Sequence, residues 1–250
     1  MKKKTLVILF SMPLMALAQQ SSTGPDTVIT KDPTNPNTEY WVIHTLQGRV
    51  KAQGKMMNQK KEGLWRDYLD NSGMPNTAIE YHNGEKDGAS ITFNSNGVVS
   101  VDETYRNGKQ EGQHITITPS SRMQSVENYH DGILNGNKKL YYEEGKVQED
   151  GNWKNAQREG KTTWYFQNGK PSIEYTYKNG LLNGPATTYS DNGNTVSEGS
   201  YLDNDENGKW EIYGEDGKPE KTVIYEKGKV VKEIPFKEND ATKKKAPAKK

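Results

Sequence analysis

Six residues near the C-terminal end, Asp-Asn-Asp-Glu-Asn-Gly at 203–208, have the residue types of the first half of a calcium-binding loop. Asp203, Asp205 and Asn207 stand at alternate positions before a glycine, so their side-chain oxygens are candidate metal ligands. The bidentate glutamate of such a loop would fall at position 214, where the sequence has Gly214. The same Asn-Gly pair is also a turn signal. A calcium site and an acidic hairpin loop are therefore both open at this point.

Most other combinations of residues that support catalysis are missing from the sequence. The chain has no Cys, so it contains no thiol nucleophile, no disulfide and no thiolate metal site. Its four histidines lack the spacing of His-Glu-x-x-His, and no Gly-x-Ser-x-Gly is present to activate a serine. The Glu-Gly-Lys-Thr at 159–162 lacks the earlier glycine of a phosphate loop, because Asn155 stands there. We expect neither catalysis nor a bound cofactor.

Carboxylates and tryptophans occur at positions that repeat along the chain. The carboxylates, separated by 48, 24 and 24 residues, are Asp102, Asp150, Glu174 and Glu198. The tryptophans, whose flat rings suit either sugar stacking or packing against neighbours, are Trp65, Trp164 and Trp210. The spacing of the carboxylates in multiples of 24 indicates that one structural unit positions them repeatedly.

A glycine that recurs every 24 residues, with one interval of 25, marks this unit. The seven glycines are Gly63, Gly88, Gly112, Gly136, Gly160, Gly184 and Gly208. Two runs of about six or seven residues follow each glycine; they are rich in Tyr, Thr, Val and Ile and are bounded by Asn-Gly or Asp-Gly. Such turns need positive φ, which Gly adopts freely and Asn tolerates. The pattern predicts an all-β fold, an elongated antiparallel meander of stacked β-hairpin repeats with about 24 residues per unit.

Alternation of side chains along a strand separates two faces of the predicted sheet. The second strand of each unit places residues such as Ile173, Tyr175 and Tyr177 on one face, which we expect to be apolar. The opposite face carries what we call the acidic column: Asp102, Asp150, Glu174 and Glu198. Two strands per unit would space these carboxylates about 10 Å apart. The column favours a basic protein partner.

The three tryptophans Trp65, Trp164 and Trp210 have the opposite parity from the tyrosine that follows each of them. Exposed rings on a sheet would be suited to stacking against sugars, whereas rings that cover their neighbours would stabilise a thin sheet. The sequence leaves both interpretations open.

The units, among them "YKNGLLNGPATTYSDNG" and "YRNGKQEG", resemble the MORN-type repeat variant of bacterial YwqK-family antitoxins over residues 54–228. The resemblance implies stacked β-hairpins and binding to a protein or a surface, and for part of the family it implies neutralisation of a toxin. The sequence departs from the turn pattern at Ala156 and Asn204, and at Ser121 and Arg122. We expect irregular hairpins at these points.

The ends of the chain differ in composition from the repeats. Residues 1–18 combine three lysines, an apolar run and a small-residue end at Ala16-Leu17-Ala18, which predicts a Sec signal peptide. We interpret 19–39 as a disordered linker, 40–236 as the repeat domain and 237–250 as a disordered Lys-rich tail. The tail holds six Lys and two acids, a net of +4; without Lys2, Lys3 and Lys4 and without the tail, the formal total of +1 leaves −6 on residues 19–236.

These observations favour an exported, periplasmic or secreted, non-catalytic scaffold that mediates protein–protein interaction. The alternative is a cell-envelope binding module, attached through sugar-stacking aromatics or through the Lys-rich tail on an anionic surface. We expect no nucleic-acid partner and no transmembrane segment after signal cleavage.

Overall fold

The computed structural model describes residues 21–22 and 27–237. These residues form strands, turns and loops, and no helix occurs among them. The chain divides into two compact units with the boundary after Glu85, and we treat the N-terminal and C-terminal units separately.

The N-terminal unit contains six strands in which chain neighbours pair antiparallel. They are β1 (Ser21–Ser22), β2 (Thr27–Lys31), β3 (Thr38–His44), β4 (Val50–Met57), β5 (Lys60–Tyr68) and β6 (Pro75–His82). The linker interpretation of 19–39 is wrong for β2, whose β-branched residues pair with β3 and whose Ile29 is buried.

The C-terminal unit is also an antiparallel meander, in which strands that are neighbours in the chain pair with each other. Its strands are β7 (Glu85–Phe93), β8 (Val99–Arg106), β9 (Lys109–Ile117), β10 (Met123–His130), β11 (Ile133–Leu134), β12 (Gly136–Tyr141), β13 (Val147–Lys154), β14 (Gln157–Tyr165), β15 (Pro171–Lys178), β16 (Leu181–Tyr189), β17 (Thr195–Leu202), β18 (Asp205–Tyr213), β19 (Pro219–Glu226) and β20 (Lys229–Pro235). Strands β11 and β12 flank Asn135 and both pair with β10. The predicted all-β meander of hairpins is confirmed.

Two-residue turns connect the repeats, and both turn residues have positive φ. The first residues lie at φ 49 to 52° and are Asn58, Asn83, Asn107, Asp131, Asn155, Asn179, Asp203 and Lys227. These dihedrals match the primed turns that suit the twist of antiparallel strands. Ala156 and Asn204 adopt φ of 61° and 76° at the second position, so the expected irregularity at these turns is wrong.

Five-residue loops connect the two strands within the repeats, except that the loop 69–74 between β5 and β6 has six residues. In the loop 166–170, the backbone N–H of Phe166 donates to the carbonyl of Lys170, and that of Gly169 donates to the carbonyl of Phe166. The same pair of bonds forms in the loop 118–122, where Ser121 takes the glycine position at φ 62°. The irregularity expected at Ser121 is therefore wrong, because the flanking strands impose the same backbone path.

Aromatic rings on one face hold the C-terminal unit together. Trp210, Ala186 and Val223 are buried, and Tyr201 and Tyr225 pack against them. A continuous series of edge-to-face contacts runs through Trp164, Tyr175, Tyr201, Trp210 and Tyr225, with ring centroids 5.2 to 6.1 Å apart. We call the surface that carries these rings the aromatic face. Such contacts stabilise a thin sheet beyond the area that they bury.

Candidate functional site

The acidic column lies on the face opposite the aromatic rings, and the strand register brings three of its members into one row. Thr163 is the cross-strand neighbour of both Asp150 and Glu174, and Thr187 is the neighbour of both Glu174 and Glu198. Asp102 precedes this row in the chain. Its cross-strand neighbours are Ile91 and Ile115, and its side chain is exposed. The two-strand spacing in the row corresponds to about 10 Å between successive carboxylates.

Lysines neutralise two members of the column. The Nζ atoms of Lys139 and Lys161 lie 2.6 Å from carboxylate oxygens of Asp150 and Glu174, respectively. Burial raises the pKa of Asp150, but hydrogen bonds from Lys139 and Asn137 outweigh it and leave that pKa below its ordinary value. These two carboxylates therefore contribute less to the field of the face than the sequence suggested.

A pair of glutamates concentrates negative charge at the far end of the column. Glu198 on β17 is directly opposite Glu211 on β18, and Glu198 is exposed. The Tyr213 hydroxyl donates to Glu198 Oε1 over 2.5 Å, and this bond with burial raises the pKa of Tyr213 to about 12. Lys209 contacts Glu211, and the Thr222 hydroxyl donates to its other oxygen. The arrangement can bind a cationic group from outside the chain.

The possibility that Trp65 and Trp210 stand exposed is wrong, because their side chains are buried with 2% and 6% exposure. Trp210 shares its face with the tyrosines Tyr201 and Tyr225, and its indole N–H donates to the Ser200 carbonyl. Trp164 is half-buried; its ring contacts tyrosines and its N–H donates to Glu149. Opposite parity from the following tyrosine placed these rings on the aromatic face, where they pack.

The segment with calcium-loop spacing begins in a turn and continues as a strand. Asp203 and Asn204 form the turn between β17 and β18, and Asp203 accepts a hydrogen bond from the Asn183 side chain. Asp205 and Asn207 lie in β18, paired with Leu202 and Ser200. Within the described residues, no group of three or more His, Asp or Glu side chains is arranged to hold a metal ion.

Charged residues interrupt the aromatic face, which the sequence predicted to be apolar. Glu103, His114 and Glu127 are successive cross-strand neighbours on β8, β9 and β10. His114 Nδ1 lies 3.2 Å from Glu103, and Lys138 Nζ lies 2.8 Å from Glu127. Burial raises the pKa of Glu127, but Lys138 and Tyr129 outweigh it, so that pKa lies below its ordinary value. The prediction of an apolar face is therefore wrong in this part of the sheet.

A buried ion pair extends the charged part of the aromatic face. Arg158 Nη1 lies 2.7 Å from Glu149 Oε1, and the Glu149 side chain is 7% exposed. The guanidinium lies within 4.9 to 5.5 Å of the rings of Trp153, Trp164 and Tyr177. This pair is enclosed by the chain's own rings, so its geometry serves packing.

Three consecutive segments, 134–155, 158–179 and 182–203, match the family model of the MORN repeat variant. These three segments are repeats of this type. Each matched segment begins within the first strand of a hairpin and ends at the first residue of a two-residue turn. A comparison with curated proteins gives no match. The likeness to YwqK-family antitoxins stays a prediction.

The glutamate before the repeat glycine has a role that the sequence analysis missed. Glu62, Glu111 and Glu159 each accept a hydrogen bond from the backbone N–H of the first turn residue 20 or 21 positions later. The bond to Asn83 is the main cause that lowers the pKa of Glu62. The recurrence of Glu-Gly at the repeat glycine, after 49 and then 48 residues, was a signal for this role, since at these three positions it links one repeat to the next.

The residue after the loop glycine has a matching role at the other end of the MORN repeats. Lys146 Nζ donates to the Gln167 carbonyl, and Lys170 Nζ donates to the Asn192 carbonyl. The motif residues therefore hold loops and turns together, and any binding role falls to the positions between them. None of the described residues belongs to a helix with the length and apolarity needed to cross a lipid bilayer.

Proposed function

We propose that this protein is an exported, non-catalytic MORN-repeat scaffold that holds a basic protein partner on the acidic column. The observation that carries the proposal is the direct opposition of Glu198 and Glu211 on neighbouring strands. Like charges at directly opposite positions destabilise a sheet. Lys209 offsets part of this repulsion at Glu211, so the exposed Glu198 is the member best placed to meet a cationic group of a partner.

The different environments of the glutamates support the same proposal. Glu62, Glu111 and Glu159 bind the backbone of turns, whereas Glu198 is exposed within β17. A rigid row of carboxylates selects partners by electrostatic complementarity and accelerates encounter. A cationic toxin is one class of partner that the resemblance to antitoxins suggests. Export rests on the leader-like residues 1–18.

The test compares two triple variants of the purified chain in a pull-down from envelope extract. One carries Glu174→Gln and Glu198→Gln in the acidic column, together with Glu211→Gln directly opposite Glu198. The control carries Glu143→Gln, Asp191→Asn and Glu215→Gln, which remove the same charge from exposed loop residues. The proposal expects the first variant to lose capture and salt dependence, because exposed pairs are screened over about 8 Å at physiological ionic strength.

Equal capture by the two triple variants and the unmodified chain would contradict the acidic column as the working surface. Equal loss of capture in both triple variants would indicate that binding depends on the net charge of the protein and not on the acidic column. Export has its own readout: expression with the native leader should yield a periplasmic protein whose first residue is Gln19, as found by intact-mass spectrometry. Retention of residues 1–18 would contradict the exported state.

A further inference from the structure

The N-terminal unit has an open groove of about 300 Å³ on the face that carries Trp65. Trp41, Ile43, Met56 and Trp65 provide apolar surface, and Ala52 is buried beneath them. Groove and lining residues all lie on β3, β4 and β5, three consecutive paired strands. The walls are therefore positioned by one continuous piece of sheet.

A glycine makes room for the Trp65 indole on this face. Gly54 is the cross-strand neighbour of Trp41, and a β-carbon at Gly54 would lie 2.3 Å from the Trp65 ring. The Trp65 ring therefore covers the glycine, and its N–H donates to the Lys55 carbonyl over 2.8 Å. This bond fixes the wall of the groove in place.

The C-terminal unit contains the same glycine and tryptophan with the space filled. There the Trp210 ring covers Gly199, and Tyr201, two residues after the glycine, lies with its ring centroid 5.2 Å from Trp210. Two residues after Gly54 the N-terminal unit has Met56, which lines the groove. A flexible thioether at the ring position leaves room that an aromatic side chain would take.

The charges around the groove favour an anion next to the apolar group. Lys61 Nζ lies 4.6 Å from the Trp65 ring and 4.8 Å from the Tyr81 ring, and it makes no ion pair with any residue that the structure describes. Lys51 also lines the groove; its side chain is 56% exposed, and its Nζ lies 4.0 Å from Asp70, an exposed carboxylate outside the groove lining. Asp67 is the one carboxylate in the lining and accepts a bond from the Thr77 hydroxyl. The lining therefore carries two cations and one anion.

We propose that this groove binds an extended acidic peptide segment of a protein partner through one aromatic side chain. The aromatic ring enters between Trp41 and Trp65, and a carboxylate one or two residues away meets Lys61 and Lys51. The ring supplies most of the buried area, and the carboxylate supplies orientation. This site has a charge preference opposite to that of the acidic column, so it stands independently of the proposed function.

The probe is the peptide acetyl-Gly-Phe-Asp-Glu-Gly-amide, titrated calorimetrically into the full chain. Two comparison peptides replace Phe by Ala, or Asp and Glu by Asn and Gln. The proposal expects saturable binding of the first peptide and at least about tenfold weaker binding of both others, a factor that corresponds to 1.4 kcal/mol.

Variants of the chain locate the binding. Lys61→Met keeps the aliphatic stem over the rings and should weaken binding about fivefold to tenfold. Lys86→Met is the matched control, because Lys86 lies 4.4 Å from the Tyr105 ring in the C-terminal unit. Met56→Tyr places a ring where Tyr201 stands in the other unit and should abolish binding while the fold is retained, as checked by circular dichroism.

Several outcomes would overturn the proposal. They are no saturable binding of the acidic Phe peptide, equal binding of the Ala peptide, or equal effects of Lys61→Met and Lys86→Met. Binding of phosphatidylglycerol vesicles without binding of the peptide would assign the groove to a lipid surface and also overturn it. The Glu174, Glu198 and Glu211 triple variant should bind the peptide as the unmodified chain does, which separates this test from that of the acidic column.

Discussion

The Trp210 ring occupies the space above Gly199, where a β-carbon would lie 2.2 Å from the nearest ring atom. Gly199→Ala is therefore expected to displace the indole from its contacts with Tyr201 and Tyr225. Overpacking of this kind costs about 1 to 3 kcal/mol. Urea unfolding of the full chain measures the loss, with Gly214→Ala as the control because its new β-carbon would lie 3.3 Å from a flexible Asp216 side chain. Equal losses in the two variants would contradict the contact.

Trp210→Ala should destabilise the protein by about 3 to 5 kcal/mol, the range for removing a buried aromatic side chain. Tyr177→Ala should cost less, because Tyr177 is half-buried and contacts Trp164 at one end of the ring series. Exposed aromatics for sugar stacking would have required the reverse order. Chemical denaturation of both variants checks which order holds.

Ala156→Gly is expected to stabilise the protein by about 1 kcal/mol. Ala156 adopts φ 61°, where its β-carbon is crowded by the backbone and glycine is not. Ala186→Gly is the control, since Ala186 is buried in β16 and its loss should lower the free energy of unfolding. A destabilised Ala156→Gly protein would show that chain entropy outweighs the strain.

Low pH should weaken the hydrogen bonds that the turn N–H groups donate to Glu62, Glu111 and Glu159. The pKa of Glu62 is lower in the folded protein than its ordinary value of 4.5, first because the Asn83 backbone N–H donates to it. The unfolded chain then binds more protons near and below pH 4.5, so stability is full above that pH and falls as pH drops through the folded pKa. Glu62→Gln should flatten this part of the stability curve, whereas Glu144→Gln in an exposed loop should leave its slope unchanged. Unfolding curves at several pH values give the comparison.

The hairpins were predictable because their signals are local. Asn179-Gly180 and its counterparts encode turns within two residues, and the aromatic period encodes which strands stack. The burial of Trp65 was not predictable in this way, because it depends on a contact with Gly54 on the preceding strand, which only the strand pairing reveals. Glu103 lies two residues before Tyr105 on β8, so side-chain alternation places both on the aromatic face. Only the strand register shows that His114 is the cross-strand neighbour of Glu103.

Glu198 shows what sequence alone contributed to the candidate site and what it did not. Alternation along β17 gave its face, and the period gave its row with Glu174. Its opposition to Glu211 depends on an irregularity in the pairing of β17 with β18 between Glu198 and Ser200. The extra residues lie on β18 next to Gly208, which has a φ of 73°, so the repeat glycine permits the bulge but does not by itself identify the cross-strand partner. The lysines beside Asp150 and Glu174 likewise became visible as partners only with the register known.

The hydrogen bonds from the turns to the glutamates, and those from Lys146 and Lys170 to the next loops, also relate residues about one repeat apart in the chain. Glu159 reaches Asn179, and Lys170 reaches the Asn192 carbonyl, so each bond spans close to one repeat length. A single inserted residue has to be absorbed in a loop, as in the six-residue loop 69–74, where Glu62 still bonds to Asn83 over 21 positions. A whole added repeat would instead create a new bond at each end of its hairpin, so the array can lengthen or shorten in steps of one unit, as by duplication or loss of a gene segment.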